Sequence, residues 1–168
     1  METRDIDRGE VLRYLGYGRH EADERVMDLV EQCIGELGRE ARPLHLCRDY
    51  PLALGQDGLV DAGVFITRSR NLARNLADCG RILVFAATLG TGADHLIGKY
   101  NRLQMSKAVI MQAAATAMIE EYCDQVCAGL KADYEADGWY LRPRFSPGYG
   151  DFPLDCQSRL LDCLEAGK

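Results

Sequence analysis

A long helical pattern between Met105 and Leu130 dominates the chain. The segment is rich in alanine, and neither glycine nor proline interrupts it before Gly129. In its first half both faces carry small apolar side chains, which predicts a helix packed on more than one side. We therefore expect this helix to lie deep in the folded protein.

The residues before this pattern predict helices first and strands later. A short helix is expected over Asp5 to Leu15, and a second, amphipathic helix begins near Glu21 and carries apolar residues at helical spacing as far as Leu37. Residues 42–54 alternate apolar and polar side chains around two prolines, which is typical of an extended segment or edge strand.

Two further strands and a short helix are predicted between residues 62 and 87. A strand is expected over 62–67, followed by a short helix for which Ser69 is the candidate N-cap. The almost continuous apolar run over 82–87 is typical of a central strand buried on both faces.

The last part of the chain changes character. Residues 138–153 combine aromatic residues, prolines and glycines, which indicates a strand entering an irregular loop, and Asp155 is expected to cap a final helix. This order of elements predicts an α+β fold with a mixed or antiparallel sheet packed against several helices. We expect a single domain over 1–168, with a helical part over about 1–40 and an α+β part over about 41–168.

Charge and hydropathy exclude several classes of protein. Lys and Arg number 20 against 26 Asp and Glu, a formal charge of -6 that is unsuited to a phosphate backbone, so no nucleic acid partner is expected. No apolar run approaches the roughly 20 residues that span a bilayer, and the charged start does not resemble a signal peptide. We expect a cytoplasmic protein without a membrane partner.

Neither the thiols nor the glycine-rich turn predicts a site. The seven cysteines contain no C-x-x-C pair and are typical of reduced core thiols, and although Cys123 and Cys127 are four apart, no second ligand pair accompanies them. The turn TLGTGADH has His95 where a dinucleotide-binding loop needs its third glycine, which favours a plain strand-to-helix connection over a phosphate site. The three histidines are too sparse to support nucleophilic catalysis.

Two carboxylates on the long helix are weaker candidates. Glu120 and Glu121 interrupt an otherwise apolar stretch, where a carboxylate could meet a cationic group of a ligand. The alternative is that they begin the solvent-exposed half of the helix, and charge on a helix favours this interpretation.

The segment RPRFSPGYGDFPLD is the most informative. Pro147 followed by Gly148 is suited to a type II turn, and its glycines allow the backbone to approach a ligand closely. Arg142 and Arg144 form a local positive spot, and an arginine fork is suited to a carboxylate. A proline-stiffened surface turn with ordinary arginines explains the composition equally well.

The same segment resembles a known motif. RFSPGYGDFPLD is similar to the S-adenosylmethionine-binding signature of the activation domain of cobalamin-dependent methionine synthase, an R-x-x-P-G-Y core that is Arg144, Pro147, Gly148 and Tyr149 here. EVLRYLGY at 10–17, FAATLG at 85–90 and the helix ending in IEEYCDQV resemble standalone short relatives of that domain. The resemblance covers most of the chain.

This resemblance implies a fold of the activation-domain type and a role in methionine biosynthesis. In that family, methionine synthase occasionally loses activity when its cobalamin is oxidised. An electron from a flavodoxin-like donor and a methyl group from S-adenosylmethionine together restore the active cofactor. The chain would bind S-adenosylmethionine and act on the cobalamin carried by a separate methionine synthase. Because the chemistry belongs to the cofactors, no catalytic acid, base or nucleophile is required.

Individual roles follow from the same resemblance. Arg144 would hold the ligand carboxylate, the backbone around Ser146, Pro147 and Gly148 would contact the amino and adenine portions, and Tyr149 would lie along the ligand. Glu121 is the expected acidic contact from the long helix.

The family continues beyond the last helix into strands that also contact the ligand, and these have no counterpart before Lys168. The alternative is therefore a docking module that contacts a corrinoid protein without binding the ligand itself.

Overall fold

A computed structural model of the protein describes residues 6–18, 20 and 22–166. Within them the helices are α1 (Arg8–Tyr14), α2 (Glu24–Glu40), α3 (Arg70–Asn75), α4 (Thr91–Leu103), α5 (Met105–Ala136) and α6 (Cys156–Cys163). The strands are β1 (Leu44–Pro51), β2 (Ala53–Leu54), β3 (Leu59–Asp61), β4 (Ile66–Arg68) and β5 (Arg81–Thr88). The predicted α+β class is confirmed. Asp5 and Glu21, the predicted starts of the first two helices, lie outside the described residues.

The strands form two small sheets. β2, β3 and β4 make an antiparallel sheet with β3 in the middle, where Val60 lies opposite Leu54 on one side and Thr67 on the other. β1 pairs with β5 in a second, two-stranded sheet.

The chain divides into two compact units. The first unit comprises Met1–Leu44 and Ala87–Ala132, and the second comprises His45–Ala86 and Asp133–Lys168. The activation-domain type of fold and the single domain over 1–168 stay predictions.

The core of the first unit is built from helices. α2 buries Val30, Cys33, Ile34 and Leu37, which follow the spacing of one helix face, and Asp23 caps it by accepting a 2.8 Å hydrogen bond from the Val26 amide. α5 contributes alanines and two fully buried methionines, Met111 and Met118, to the same cluster. The predicted burial of the first half of the long helix is therefore confirmed.

The second unit contains two smaller clusters of apolar side chains. One includes Val60, Leu72 and Phe152, and the other includes Phe65, Val84 and Leu164. Each joins strand residues to residues from the last thirty positions of the chain, so the segment after α5 is part of this core.

Three expectations about these elements are wrong in detail. Only Val84 is fully buried in β5, which has a single neighbouring strand and is not a central strand. Within 62–67 the strand begins only at Ile66, because residues 62–65 form a turn in which the Ala62 amide donates to the Phe65 carbonyl. Residues 138–146 contain no strand.

The long helix also ends later than predicted. A single glycine in a helix is a modest cost, and Gly129 lies within α5. The helix ends where Gly138, at a φ of 79°, donates to the Glu135 carbonyl while Trp139 donates to the Tyr134 carbonyl. These two bonds define a Schellman motif, which satisfies the last carbonyls of the helix.

No helix of the described residues is both long enough and apolar enough to cross a membrane.

Candidate functional site

The segment 144–151, called here the PGYG loop, lies in the second unit and begins with the predicted turn. The Tyr149 amide donates to the Ser146 carbonyl at 3.2 Å, which places Pro147 and Gly148 at the two central positions. Gly148 has a φ of 92°, the left-handed value that the second central residue of a type II turn requires. The sequence prediction of this turn is confirmed.

Two more backbone bonds close the loop. The Gly148 amide donates to the Phe152 carbonyl at 2.8 Å, and the Phe152 amide donates to the Tyr149 carbonyl at 3.0 Å. The amides of Gly148 and Tyr149 are thus both engaged within the loop. A ligand that used either amide would have to compete with an internal hydrogen bond.

The side chains of the loop alternate between the core and the surface. Phe145 and Phe152 pack together with their ring centroids 6.3 Å apart, and both belong to the apolar cluster around Leu72. Arg144 lies at the surface, and Tyr149 is 67% exposed. The buried Phe152 and the half-buried Phe145 therefore hold a turn that presents Arg144 and Tyr149 to solvent.

Asp151 fixes the end of the loop to the start of α3. Its carboxylate accepts hydrogen bonds from the Ser69 hydroxyl at 2.5 Å and from the amides of Arg70 and Asn71 at 2.8 and 3.1 Å. The Ser69 hydroxyl, in turn, accepts from the Leu72 amide at 3.0 Å and is the N-cap of the helix, as the sequence predicts. These bonds connect the loop to residues about eighty positions earlier.

The same contacts affect the pKa of the Asp151 carboxyl and the residue that fits at the neighbouring position 150. The hydrogen bond from Ser69, followed by that from the Asn71 amide, lowers the pKa of the Asp151 carboxyl below its ordinary value. Gly150 adopts a φ of 55°, and a side-chain carbon there would overlap the side-chain nitrogen of Asn71. The left-handed backbone and the close approach to α3 both favour glycine at position 150.

The segment just before the loop is anchored as well. Arg142 donates to the Ala77 carbonyl at 3.1 Å, and Asn75 donates to the Pro143 carbonyl at 3.3 Å. Arg142, one of the two arginines of the predicted positive spot, therefore has a structural contact.

Glu121 belongs to the first unit and Arg144 to the second. Glu121 is half-buried on α5 and accepts a 3.0 Å hydrogen bond from Gln125 one turn later, whereas Glu120 is exposed. The other five predicted residues lie within six positions of the PGYG loop, where only Phe145 separates Arg144 from the run of Ser146, Pro147, Gly148 and Tyr149. The role of Glu121 stays a prediction.

The glycine-rich turn before α4 has a packing explanation. Gly90 precedes the helix with a φ of 82°, and a side-chain carbon there would lie 3.1 Å from the Arg42 carbonyl oxygen. At Gly92 a side-chain carbon would overlap the Glu40 carbonyl. Close contact with the end of α2 therefore accounts for both glycines, in agreement with a plain strand-to-helix connection.

Among the described residues no group of three or more His, Cys, Asp or Glu side chains is placed to hold a metal ion. Cys123 is buried and Cys127 half-buried on α5, and no disulfide joins any of the seven cysteines.

Compared with known protein families and with curated proteins, the chain matches none.

Sequence reasoning missed two features of this region. No role was predicted for Asp151, whose bonds to Ser69, Arg70 and Asn71 depend on residues about eighty positions earlier. Trp139 and Tyr140 were considered only as part of an aromatic-rich segment, and the structure places them in the wall of a cavity.

Proposed function

We propose that this protein binds S-adenosylmethionine through the PGYG loop and supports reductive reactivation of the cobalamin cofactor of a separate methionine synthase. The observation that carries the proposal is the type II turn that presents Arg144 and Tyr149 at the surface while Phe145 and Phe152 hold it from beneath. The motif resemblance assigns ligand contacts to these same exposed residues.

The residues present are compatible with the ligand. Arg144 offers a guanidinium group that can bind the ligand carboxylate through two parallel hydrogen bonds. Tyr149 offers an exposed aromatic ring, which can cover the ligand and attract its positively charged sulfonium. Ser146 and Pro147 position these two side chains by forming the turn between them.

S-adenosylmethionine would supply the methyl group, and a flavodoxin-like donor would supply the electron. The task of the chain is then to bind and orient the ligand against the cobalamin of the partner, which needs no acid, base or nucleophile of its own. The motif resemblance, and no contact in the structure, assigns an acidic contact to Glu121.

Calorimetry with S-adenosylmethionine tests the proposal. Arg144→Ala is expected to weaken binding roughly ten- to a hundredfold, the effect of losing a charge-assisted hydrogen bond. Arg25→Ala is the matched control, because it removes one exposed arginine from α2 in the first unit. Equal binding by parent, Arg144→Ala and Arg25→Ala proteins would contradict the assigned role of Arg144.

The docking module remains the alternative, and the internal bonds of the Gly148 and Tyr149 amides favour it because they reduce what the main chain offers a ligand. The two functions predict different pull-down results with a cobalamin-loaded methionine synthase. Capture that requires S-adenosylmethionine supports ligand binding, and capture that is indifferent to it, with no calorimetric signal at millimolar ligand, supports the docking module.

A further inference from the structure

The second unit contains a cavity of about 450 Å³ that is lined by Arg142 but by none of the residues assigned to the PGYG loop. Its wall comes from three places: the turn at 77–81, strand residues of β1 and β5, and the segment from Tyr134 to Arg142. The volume lies within the range of roughly 300 to 1,000 Å³ that is typical of small-molecule sites. The cavity is therefore large enough for a ligand of nucleoside size.

Aromatic side chains form one part of the wall. Tyr134, Trp139 and Tyr140 line the cavity, and Trp139 and Tyr140 are 50% and 79% exposed. The Schellman motif at the end of α5 fixes the backbone here, because the Trp139 amide donates to the Tyr134 carbonyl at 2.9 Å. Exposed aromatic faces on a backbone fixed in this way are suited to stacking against a planar ring.

Four charged side chains, of both signs, also line the cavity. Arg81 donates through Nε to the Asp49 carboxylate at 2.7 Å, and Arg142 is held by the Ala77 carbonyl. Asp78 completes the set, so the two arginines and two aspartates of the wall cancel in formal charge. A free phosphate would face two carboxylates and a simple cation would face two guanidinium groups, so the wall favours neither.

Such a wall is suited to a neutral ring that carries both hydrogen-bond donors and hydrogen-bond acceptors along its edge. The aromatic faces stack on the ring, the guanidinium groups donate to its ring nitrogens or carbonyls, and the carboxylates accept from its amino groups. We propose that this cavity binds a planar heteroaromatic ring of the nucleobase type. The inference stands on the cavity alone and does not depend on the role of Arg144.

The composition of the chain supplies a direct reporter. Trp139 is the only tryptophan, so tryptophan fluorescence reports on the cavity wall without contributions from elsewhere. We expect adenosine to change this emission saturably when the protein is excited at the red edge of tryptophan absorption, and ribose to leave it unchanged. Slower alkylation of Cys79, which also lines the cavity, is a second readout that does not depend on fluorescence.

Matched variants separate the cavity from the PGYG loop. Tyr140→Ala is expected to weaken adenosine binding by roughly five- to a hundredfold, the loss of one stacking partner. Tyr149→Ala and Arg144→Ala, which change the loop and not the cavity wall, should leave the response of Trp139 emission to adenosine unchanged. A saturable response to adenosine in Arg144→Ala protein that has lost S-adenosylmethionine binding would support the cavity site and the loop site together.

Competition experiments identify the molecule that carries the ring. Displacement of adenosine by S-adenosylmethionine in Arg144→Ala protein would identify the adenosyl group as the ring, and binding without displacement would identify a free nucleoside. AMP is expected to bind no more tightly than adenosine because the wall carries no net charge. The proposal is overturned if adenosine produces neither a fluorescence change nor Cys79 protection at millimolar concentration, or if Tyr149→Ala rather than Tyr140→Ala abolishes the response.

Discussion

The Ser69 hydroxyl donates a 2.5 Å hydrogen bond to the Asp151 carboxylate, 82 residues later in the chain. Through this bond the cap of a short helix also anchors the loop that carries Arg144 and Tyr149. Because Ser69 is almost completely buried, water cannot readily replace the bond when one partner is removed. The conformation of the loop therefore depends on α3 as well as on its own proline and glycines.

Ser69→Ala is expected to lower the free energy of unfolding by about 1 to 2 kcal/mol, because it removes a helix cap and a buried hydrogen bond together. Urea unfolding followed by circular dichroism measures the change. Ser158→Ala is the control, because its hydroxyl is exposed and contacts only the Asp155 carbonyl of its own helix end. Equal losses in the two variants would show that the bond to Asp151 adds nothing.

The pKa of Asp151 makes this anchor sensitive to acid. Since the pKa is lower in the folded protein than in the unfolded chain, the carboxylate stabilises the fold fully above the unfolded value of about 3.9 and loses this effect as the pH falls through the folded value. We expect Asp151→Asn to be less stable than the parent near neutral pH, with the difference shrinking below about pH 4. Unfolding across this pH range is the measurement, and Asp155→Asn is the control. A stability difference between the parent and Asp151→Asn that stayed constant with pH would contradict the interpretation.

The structure bears out those predictions that rest on local chemistry. The Ser69 cap and the turn at Pro147 and Gly148 each depend on a few neighbouring residues whose backbone preferences are strong. The burial of the first half of α5 follows from its composition, since small apolar side chains on several faces are suited to packing against other elements.

Properties that depend on distant residues could not be predicted from the local sequence in the same way. An apolar run such as that of β5 is compatible with either a central or an edge strand, because the number of neighbouring strands depends on the rest of the chain. Gly129 and Gly138 are both near the end of a helical pattern, and only the conformation of Gly138 distinguishes the residue that ends the helix. The cavity around Trp139 requires segments some fifty positions apart to meet, which no local pattern indicates.

Two glycines of α4 should respond oppositely to alanine. Gly92→Ala is expected to destabilise the protein strongly, because the new carbon would overlap the Glu40 carbonyl and the backbone would have to move. Gly98→Ala should stabilise it by about 0.5 to 1 kcal/mol, since nothing lies near that position and alanine favours the helix. Thermal unfolding of both variants is the measurement, and a mild effect of Gly92→Ala would show that the contact with α2 is not required.

The last prediction concerns a nearly buried ion pair in the first unit. Lys107 is 8% exposed and donates to the Glu36 carboxylate at 2.6 Å, and Tyr100 donates to the other carboxylate oxygen at 2.6 Å. Burial raises the pKa of Glu36, but the hydrogen bonds from Lys107 and Tyr100 outweigh it, so the pKa is lowered and the carboxylate stays ionised.

Lys107→Met would leave this carboxylate without its cation and is expected to cost about 3 kcal/mol. Lys99→Met, which removes an exposed lysine beside the same Tyr100 ring, should change stability by less than about 0.5 kcal/mol. Replacing both partners, as in Lys107→Met with Glu36→Leu, should recover most of the loss, because no charge then remains buried. Urea unfolding of these proteins measures the coupling, and additive losses in the double variant would show that the two side chains do not stabilise each other.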